Sequence, residues 1–264
     1  MKIATWNVNS LAVRLPQVLD WLAAQKAEGG VDVLALQELK LSDDKFPLAA
    51  FTEAGYQAQW FGQKTYNGVA LISVQPGAAV VKNIPGFEDE LSRVIAATYP
   101  DGAGGQLRVI CGYFPNGQAP DSDKFVYKMR WLEALRTWVK SEMEQHPHLV
   151  LLGDYNITFD ELDMWDPVGL AGTIHCTDAE REQLQALVGL GLTDSFRLFD
   201  QPEKSYSWWD YREFAFRRNR GLRIDHILIS EALKARAKAC VIDRAPRKNE
   251  RPSDHAPVVL TLAK

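Results

Sequence analysis

Cysteine is scarce in this 264-residue chain: Cys111, Cys176 and Cys240 are odd in number and far apart. They form no CxxC pair, which excludes a disulfide framework and a cysteine zinc site and reads as the reduced thiols of a cytoplasmic protein. Long apolar runs are missing too, with none near the ~20 residues of a membrane helix. The N-terminus, MKIATWNVNS, breaks its apolar run at Asn7 and is no signal peptide. No internal repeat, low-complexity segment or Gly/Ser linker interrupts the chain. With 46% apolar and 24% charged residues, the composition is that of a globular protein with a substantial core. The net charge of -4 speaks at first against a polyanionic partner. Its distribution matters more: residues 212–251 carry twelve Lys/Arg against five Asp/Glu, so one basic end rides on an acidic body, and charge alone leaves that end a solvated surface as readily as a dock for a phosphate backbone.

What is present centres on His148–Asn156, HLVLLGDYN. Leu149–Leu152 is a short continuous apolar run, as in a strand buried on both faces. Gly153 removes the side chain where the run meets water, and Asp154 and Asn156 follow two apart, on one side of an extended backbone. Gly-Asp-x-Asn is equally good turn chemistry, so this stretch alone leaves a catalytic floor and a turn both open. Other strands end the same way. Residues 2–8 alternate, with Ile3, Thr5 and Asn7 on one face, and Val31–Gln37 ends in Glu38. Ser10 caps a helix running to about residue 26. Ser122 or Asp123 opens a long helix to about 144, and Thr177–Glu180 is a capping box for another. Strands are predicted at 56–61, 69–74, 78–84, 93–99, 106–114, 205–209, 223–229, 237–242 and 256–262. Alternating strands and helices without a composition break predict a single α/β domain over residues 1–264.

Asn7, Glu38, Asp154, Asn156, Asp225 and the Ser253-Asp254-His255 triplet each follow or end an apolar stretch. Oxygen donors without clustered Cys or His suit a hard cation such as Mg²⁺, with Mn²⁺ as a substitute. Ser253-Asp254-His255 is not a serine-protease triad, because adjacent residues do not converge in that geometry. His255 needs a carboxylate from elsewhere, and Asp225 is the natural candidate. Trp208 and Trp209 flank one bond, so in a strand one faces core and the other a ligand. Arg217, Arg218, Arg220 and Arg223 are either a solvated face or, beside those tryptophans, a DNA-backbone contact.

IATWNVNSL, LALQELK, GDYNI, SWWDYR, NRGLRIDHIL and SDHAPV occur here in the order seen in exonuclease III-type DNA-repair nucleases. The chain resembles that branch of the endonuclease/exonuclease/phosphatase superfamily from about residue 1 to 262. The resemblance implies a four-layered sandwich, two face-to-face mixed β-sheets flanked by helices, with a site at one edge. It also implies roles: Glu38 as principal metal ligand with Asn7 and Asp254 assisting, and Asp154 orienting or deprotonating the attacking water. Asn156 would hold that water or a phosphate oxygen. His255, oriented by Asp225, would donate to the phosphate, and Tyr113 would stabilise the phosphate or leaving oxygen. Trp208 and Leu222 would line a pocket for a sugar lacking its base, and Asn9 and Lys40 would support. His175 departs from the aliphatic residue usual in its loop. It is either an exposed loop histidine or a bulky, sometimes charged ring at the pocket mouth that hinders internal abasic sites. The reading is a monomeric, Mg²⁺-dependent phosphodiesterase on duplex DNA with abasic sites or blocked 3′ ends. Its rivals are a small-molecule phosphatase of the same fold and a non-catalytic DNA-binding relative.

Overall fold

The computed structural model describes residues 1–263. Six strands form the first sheet: β1 (Lys2–Asn7), β2 (Val33–Gln37), β3 (Gln57–Phe61), β4 (Val69–Ser73), β13 (Ala237–Ile242) and β14 (Val258–Leu262), ordered β13-β14-β1-β2-β4-β3. The second contains β5 (Ala78–Lys82), β6 (Val94–Pro100), β7 (Gln106–Tyr113), β8 (Leu149–Asp154), β9 (Leu192–Asp194) and β12 (Asp225–Ser230), ordered β5-β6-β7-β8-β12-β9. Both are mixed: β1 runs parallel to β2 and β7 parallel to β8, the other pairings being antiparallel.

Period-two alternation explains the layering. Ile3, Val33, Ala35 and Leu71 of the first sheet meet Val109, Val150, Leu152 and Ile227 of the second in one central core. Their sequence neighbours Ala4, Trp6, Leu34 and Leu36 point the other way, onto α1 (Leu11–Lys26) and α2 (Leu48–Glu53). Leu149, Leu151 and Leu228 likewise point out, beneath α3 (Asp123–Gln145) and α4 (Asp178–Val188). The order helix, sheet, sheet, helix is the predicted sandwich. A short α5 (Glu231–Lys234) follows β12. No helix among the described residues is long and apolar enough to cross a membrane, and the three cysteines are free and buried.

The local signals place the ends. The Ser10 hydroxyl accepts from the Val13 N–H at 3.4 Å, Ser122 caps α3, and Thr177 and Glu180 form the reciprocal capping box of α4. Gly153 serves a different purpose from the one expected. It is buried opposite Gly112 in the β7–β8 register at φ +149°, and a Cβ there would lie 1.8 Å from the Gly112 carbonyl oxygen. The glycine permits close backbone approach, not entry of water. The strand expected at 205–209 shrinks to β10 (Trp208–Trp209), paired with β11 (Gly221–Leu222). Trp208 sits opposite Leu222 in that ribbon.

Candidate active site

β1, β2, β8 and β12 come from both sheets, and the exits of the first three and the start of β12 open on one edge of the sandwich. β1 and β2 end together because Val8 N–H donates to Gln37 O at 3.0 Å and Ser10 N–H to Glu38 O at 2.8 Å. β12 lies antiparallel to β8 with Asp225 opposite Asp154. A clamp brings the SDH loop in: the Ser253 hydroxyl donates to Asn7 O at 2.6 Å and receives the His255 N–H at 3.2 Å. Asn9, Ser10, Glu38, Lys40, Asn156 and His175 all hold positive φ. Backbone strain of this kind collects at functional sites, where packing over-determines it.

Asp225 Oδ2 lies 2.8 Å from His255 Nδ1, and His255 Nε2 lies 3.6 Å from Asp154 Oδ2. Burial opposes a charge on the imidazole, but Asp225 and then Asp154 outweigh it and raise His255 to about 10. It is therefore protonated at neutral pH, with Nε2–H directed into the site. Burial, opposed by the His255 charge and assisted by Asp225, holds Asp154 above the ordinary carboxylate range. Tyr113, the register partner of Asp154 at the end of β7, is half-buried. Burial, with Glu38 and Asp154 nearby, pushes its phenol well above its ordinary value, so it is a neutral donor. Arg93 lies over the Tyr113 ring at 5.1 Å.

Glu38, Asp154 and His255 offer atoms lying within 4.8 Å of one another. His255 is held by Asp225, and the oxygens of Glu38 and Asp154 are the hard donors of the group, suited to a divalent cation. Two other expected ligands are placed differently. Asn7 Oδ1 accepts the Asn9 N–H at 3.0 Å, which fixes the amide and turns Nδ2 to Glu38 at 2.9 Å and Asp154 at 2.8 Å. Asn7 thus bridges two carboxylates as a donor and does not present its oxygen. Asp254 turns its oxygens to Trp208 Nε1 at 2.9 Å and Asn9 Nδ2 at 3.1 Å, which orients the tryptophan.

Asn156 leaves the extended conformation at φ +51°. Its N–H is bonded to Asp154 Oδ1 and its Nδ2 to Phe114 O, each at 3.0 Å. Trp209 is fully buried and Trp208 is not, as the adjacent pair implied. Trp208, Leu222 and His175 line one cleft of about 420 Å³, together with Trp165, Ile174 and Arg220. His175 is therefore no exposed loop residue, being 9% exposed. Nor is it charged: burial and Lys128 lower it to about 4, and its Nδ1 lies 2.7 Å from Asn156 O. A second cleft, of about 1040 Å³, runs from Tyr113 and Arg93 past Asn116 and Gln118 to Arg212.

Arg217 and Arg218 are exposed. Arg220 is half-exposed, stacked 4.9 Å over Trp165 and 3.7 Å from Glu213. Arg223 corrects the sequence reading. It is 1% exposed and bonds Asp163 at 2.6 Å and Asp194 at 2.8 Å, so it is a buried strut that cannot reach a phosphate backbone. Arg212 and Arg93 were missed. Arg212 lines both clefts and stands inside SWWDYR; Arg93, ahead of β6, had no signal beyond its charge.

The chain matches the Endonuclease/Exonuclease/phosphatase family over residues 4–255. Exodeoxyribonuclease III of Haemophilus influenzae is 35% identical over 270 residues, covering 98% of each chain. The 3′ phosphatase NExo from Neisseria, solved with a product DNA hairpin, is 48% identical and superposes with a TM-score of 0.94 over 100% of both chains. An AP endonuclease from Archaeoglobus fulgidus is 34% identical, with a TM-score of 0.91 over 99% of both. The family's sequence pattern thus runs through every strand exit that builds this site, and the chain belongs to the endonuclease/exonuclease/phosphatase family.

Proposed function

We propose that this chain is a monomeric, Mg²⁺-dependent DNA-repair nuclease that processes blocked 3′ ends of duplex DNA and cleaves 5′ to abasic sites more weakly. The observation carrying this is the meeting of Glu38, Asp154 and the Asp225–His255 pair, drawn from two sheets, with His255 bridged to Trp208 of a tryptophan-lined cleft. The relatives' names support DNA as substrate. A small-molecule phosphatase is disfavoured by the two clefts and the arginines around them.

Glu38 would hold the cation with an Asp154 oxygen in reach, and the cation when bound supplies charge stabilisation at the phosphate. Asp154, raised toward neutrality, orients the attacking water and accepts its proton. Asp225 fixes His255 so that Nε2–H donates to a non-bridging phosphate oxygen, where negative charge grows. Asn156 holds the water or a second phosphate oxygen, and Tyr113 donates to the phosphate or leaving oxygen. The direct test is side-by-side turnover of a 3′-phosphate duplex, an abasic duplex and an undamaged recessed end. Turnover of inositol phosphates in preference to all three would refute the proposal.

Two expectations refine it. Neutralising Arg217 and Arg218 together should flatten the dependence of log affinity on log salt by roughly 0.9 for each phosphate no longer neutralised. An unchanged slope returns both to a solvated face. His175 occupies a positive-φ position that glycine adopts freely, so His175→Gly opens the cleft with little backbone penalty. A flipped abasic sugar has more to gain from that space than a freely rotating 3′ end. The ratio of abasic cleavage to 3′-phosphate release should therefore rise, and an equal change in both shows that His175 does not gate.

A further inference from the structure

The peptide oxygen of Asn156 is gripped by two buried side chains, Lys128 and His175. Lys128 of α3, fully buried, donates to it at 2.8 Å and to Asn116 O at 3.2 Å. Its third partner is Glu180, also fully buried. His175 holds the same Asn156 oxygen from the other side at 2.7 Å. Glu180 in turn accepts the His175 N–H at 3.1 Å while completing the α4 capping box through Thr177. The Asn116–Gln118 loop lines the larger cleft and Ile174-His175 the smaller one, so the ammonium and its Glu180 partner link both walls to Asn156. The loop packs down on the lysine stem: a Cβ on Gly117 would lie 3.0 Å from Lys128 Cδ.

We propose that Lys128 is a positioning residue of the nuclease reaction, acting through Asn156 and resting on the function proposed above. An ammonium has three hydrogens, and here each has an acceptor. Two of those acceptors are backbone carbonyls of separate segments, Asn116 and Asn156. Asn156 sits at a positive φ that asparagine tolerates, and its bonded neighbours fix it there. Asp154 and Phe114 anchor its N–H and its Nδ2, and Lys128 with His175 anchors its carbonyl, which together fix the direction of the carboxamide oxygen. Without the amine, the Asn116 loop and the Asn156 turn lose their common post, and the carboxamide oxygen loses its aim at the attacking water.

The test removes the amine without stranding a buried charge. Lys128→Met/Glu180→Gln is neutral and keeps a capping-box side chain at position 180. Glu180→Gln alone keeps the amine on both carbonyls and is the second variant, and thermal melting checks folding of each. On a 3′-phosphate duplex with Mg²⁺, the double variant should lose ~10²-fold in kcat with KM within about threefold, as small misplacements do. Glu180→Gln alone should stay within about threefold of wild type, and in an Asn156→Ala background removing Lys128 should cost almost nothing more. The same kcat loss in both backgrounds, a full loss in Glu180→Gln alone, or an unchanged kcat in the double variant would overturn the proposal. Full turnover by Asn156→Ala would overturn the role of Asn156 and this inference together, whereas a deficient Asn156→Ala beside an active double variant overturns this inference alone.

Discussion

Asp154→Asn should lower turnover of a 3′-phosphate duplex by ~10³-fold or more while leaving DNA affinity within a small factor of wild type. Among the described residues, this carboxylate is the buried acid that both faces protonated His255 and holds the turn bearing Asn156, through Oδ1 at 3.0 Å. Asparagine keeps the shape and can still accept the Asn156 N–H, but it cannot take a proton from water. It also leaves His255 with Asp225 as its nearest partner, which is enough to keep the imidazole in place. The loss should therefore fall on kcat. Single-turnover kinetics, with binding measured separately, distinguishes this from a folding defect; near-wild-type turnover at saturating Mg²⁺ would remove Asp154 from the mechanism.

The second large effect is on stability. Arg223→Met should cost about 3–5 kcal/mol, because it strands Asp163 and Asp194 in the interior without their cation. That corresponds to a fall in Tm of roughly 10 °C for a chain this long. Arg197 also reaches Asp163 at 2.7 Å, so the loss should sit at the lower end of that range if Arg197 can compensate. Burial alone would raise the Asp163 carboxyl, but Arg223 outweighs it and holds the group below its ordinary value. The stabilisation is thus complete above an unfolded aspartate's pKa of ~3.9 and is lost as pH falls through the lowered native value. In contrast to Arg217 and Arg218, Arg223 should leave the salt dependence of DNA binding unchanged. A variant with wild-type Tm and a flatter salt slope would restore Arg223 to the DNA surface.

Arg223 also shows where sequence reasoning stops. Four arginines crowded beside two tryptophans look alike as letters, yet Arg223 stands two residues before the fully buried start of β12 and turns inward. Its acids lie 60 and 29 residues away, and nothing local announces them. The Asn7 amide is illegible for the same reason: its orientation is decided by one backbone N–H, that of Asn9. What is local is legible. The Ser10 cap, the Thr177 capping box and the alternation of β1 follow from neighbours in the chain, and all form as expected. The Asp225–His255 pair was also legible, because a histidine ahead of an apolar strand needs a carboxylate and Asp225 opens another. The six-residue α2 escaped because it buries only Phe51 and has no side-chain cap. Lys128 does carry a signal in the sequence: a lysine four residues before Leu132, on the buried stripe of α3, requires an acid within the fold.

The central claim is that the strand exits form a cation-assisted site in which Glu38 is the principal holder. Glu38 Oε2 lies 3.1 Å from Lys40, while Asn7 Nδ2 keeps its other oxygen beside Asp154. Glu38→Gln retains the Asn7 contact but removes the charge. The measurement is the Mg²⁺ concentration that gives half-maximal release of phosphate from a 3′-phosphate duplex, in wild type and in Glu38→Gln. The account predicts no wild-type turnover with chelator present and a half-maximal Mg²⁺ concentration at least about tenfold higher in Glu38→Gln, since losing one charged ligand weakens a hard-cation site. Turnover that persists in chelator, or an identical Mg²⁺ curve for both proteins, would contradict it.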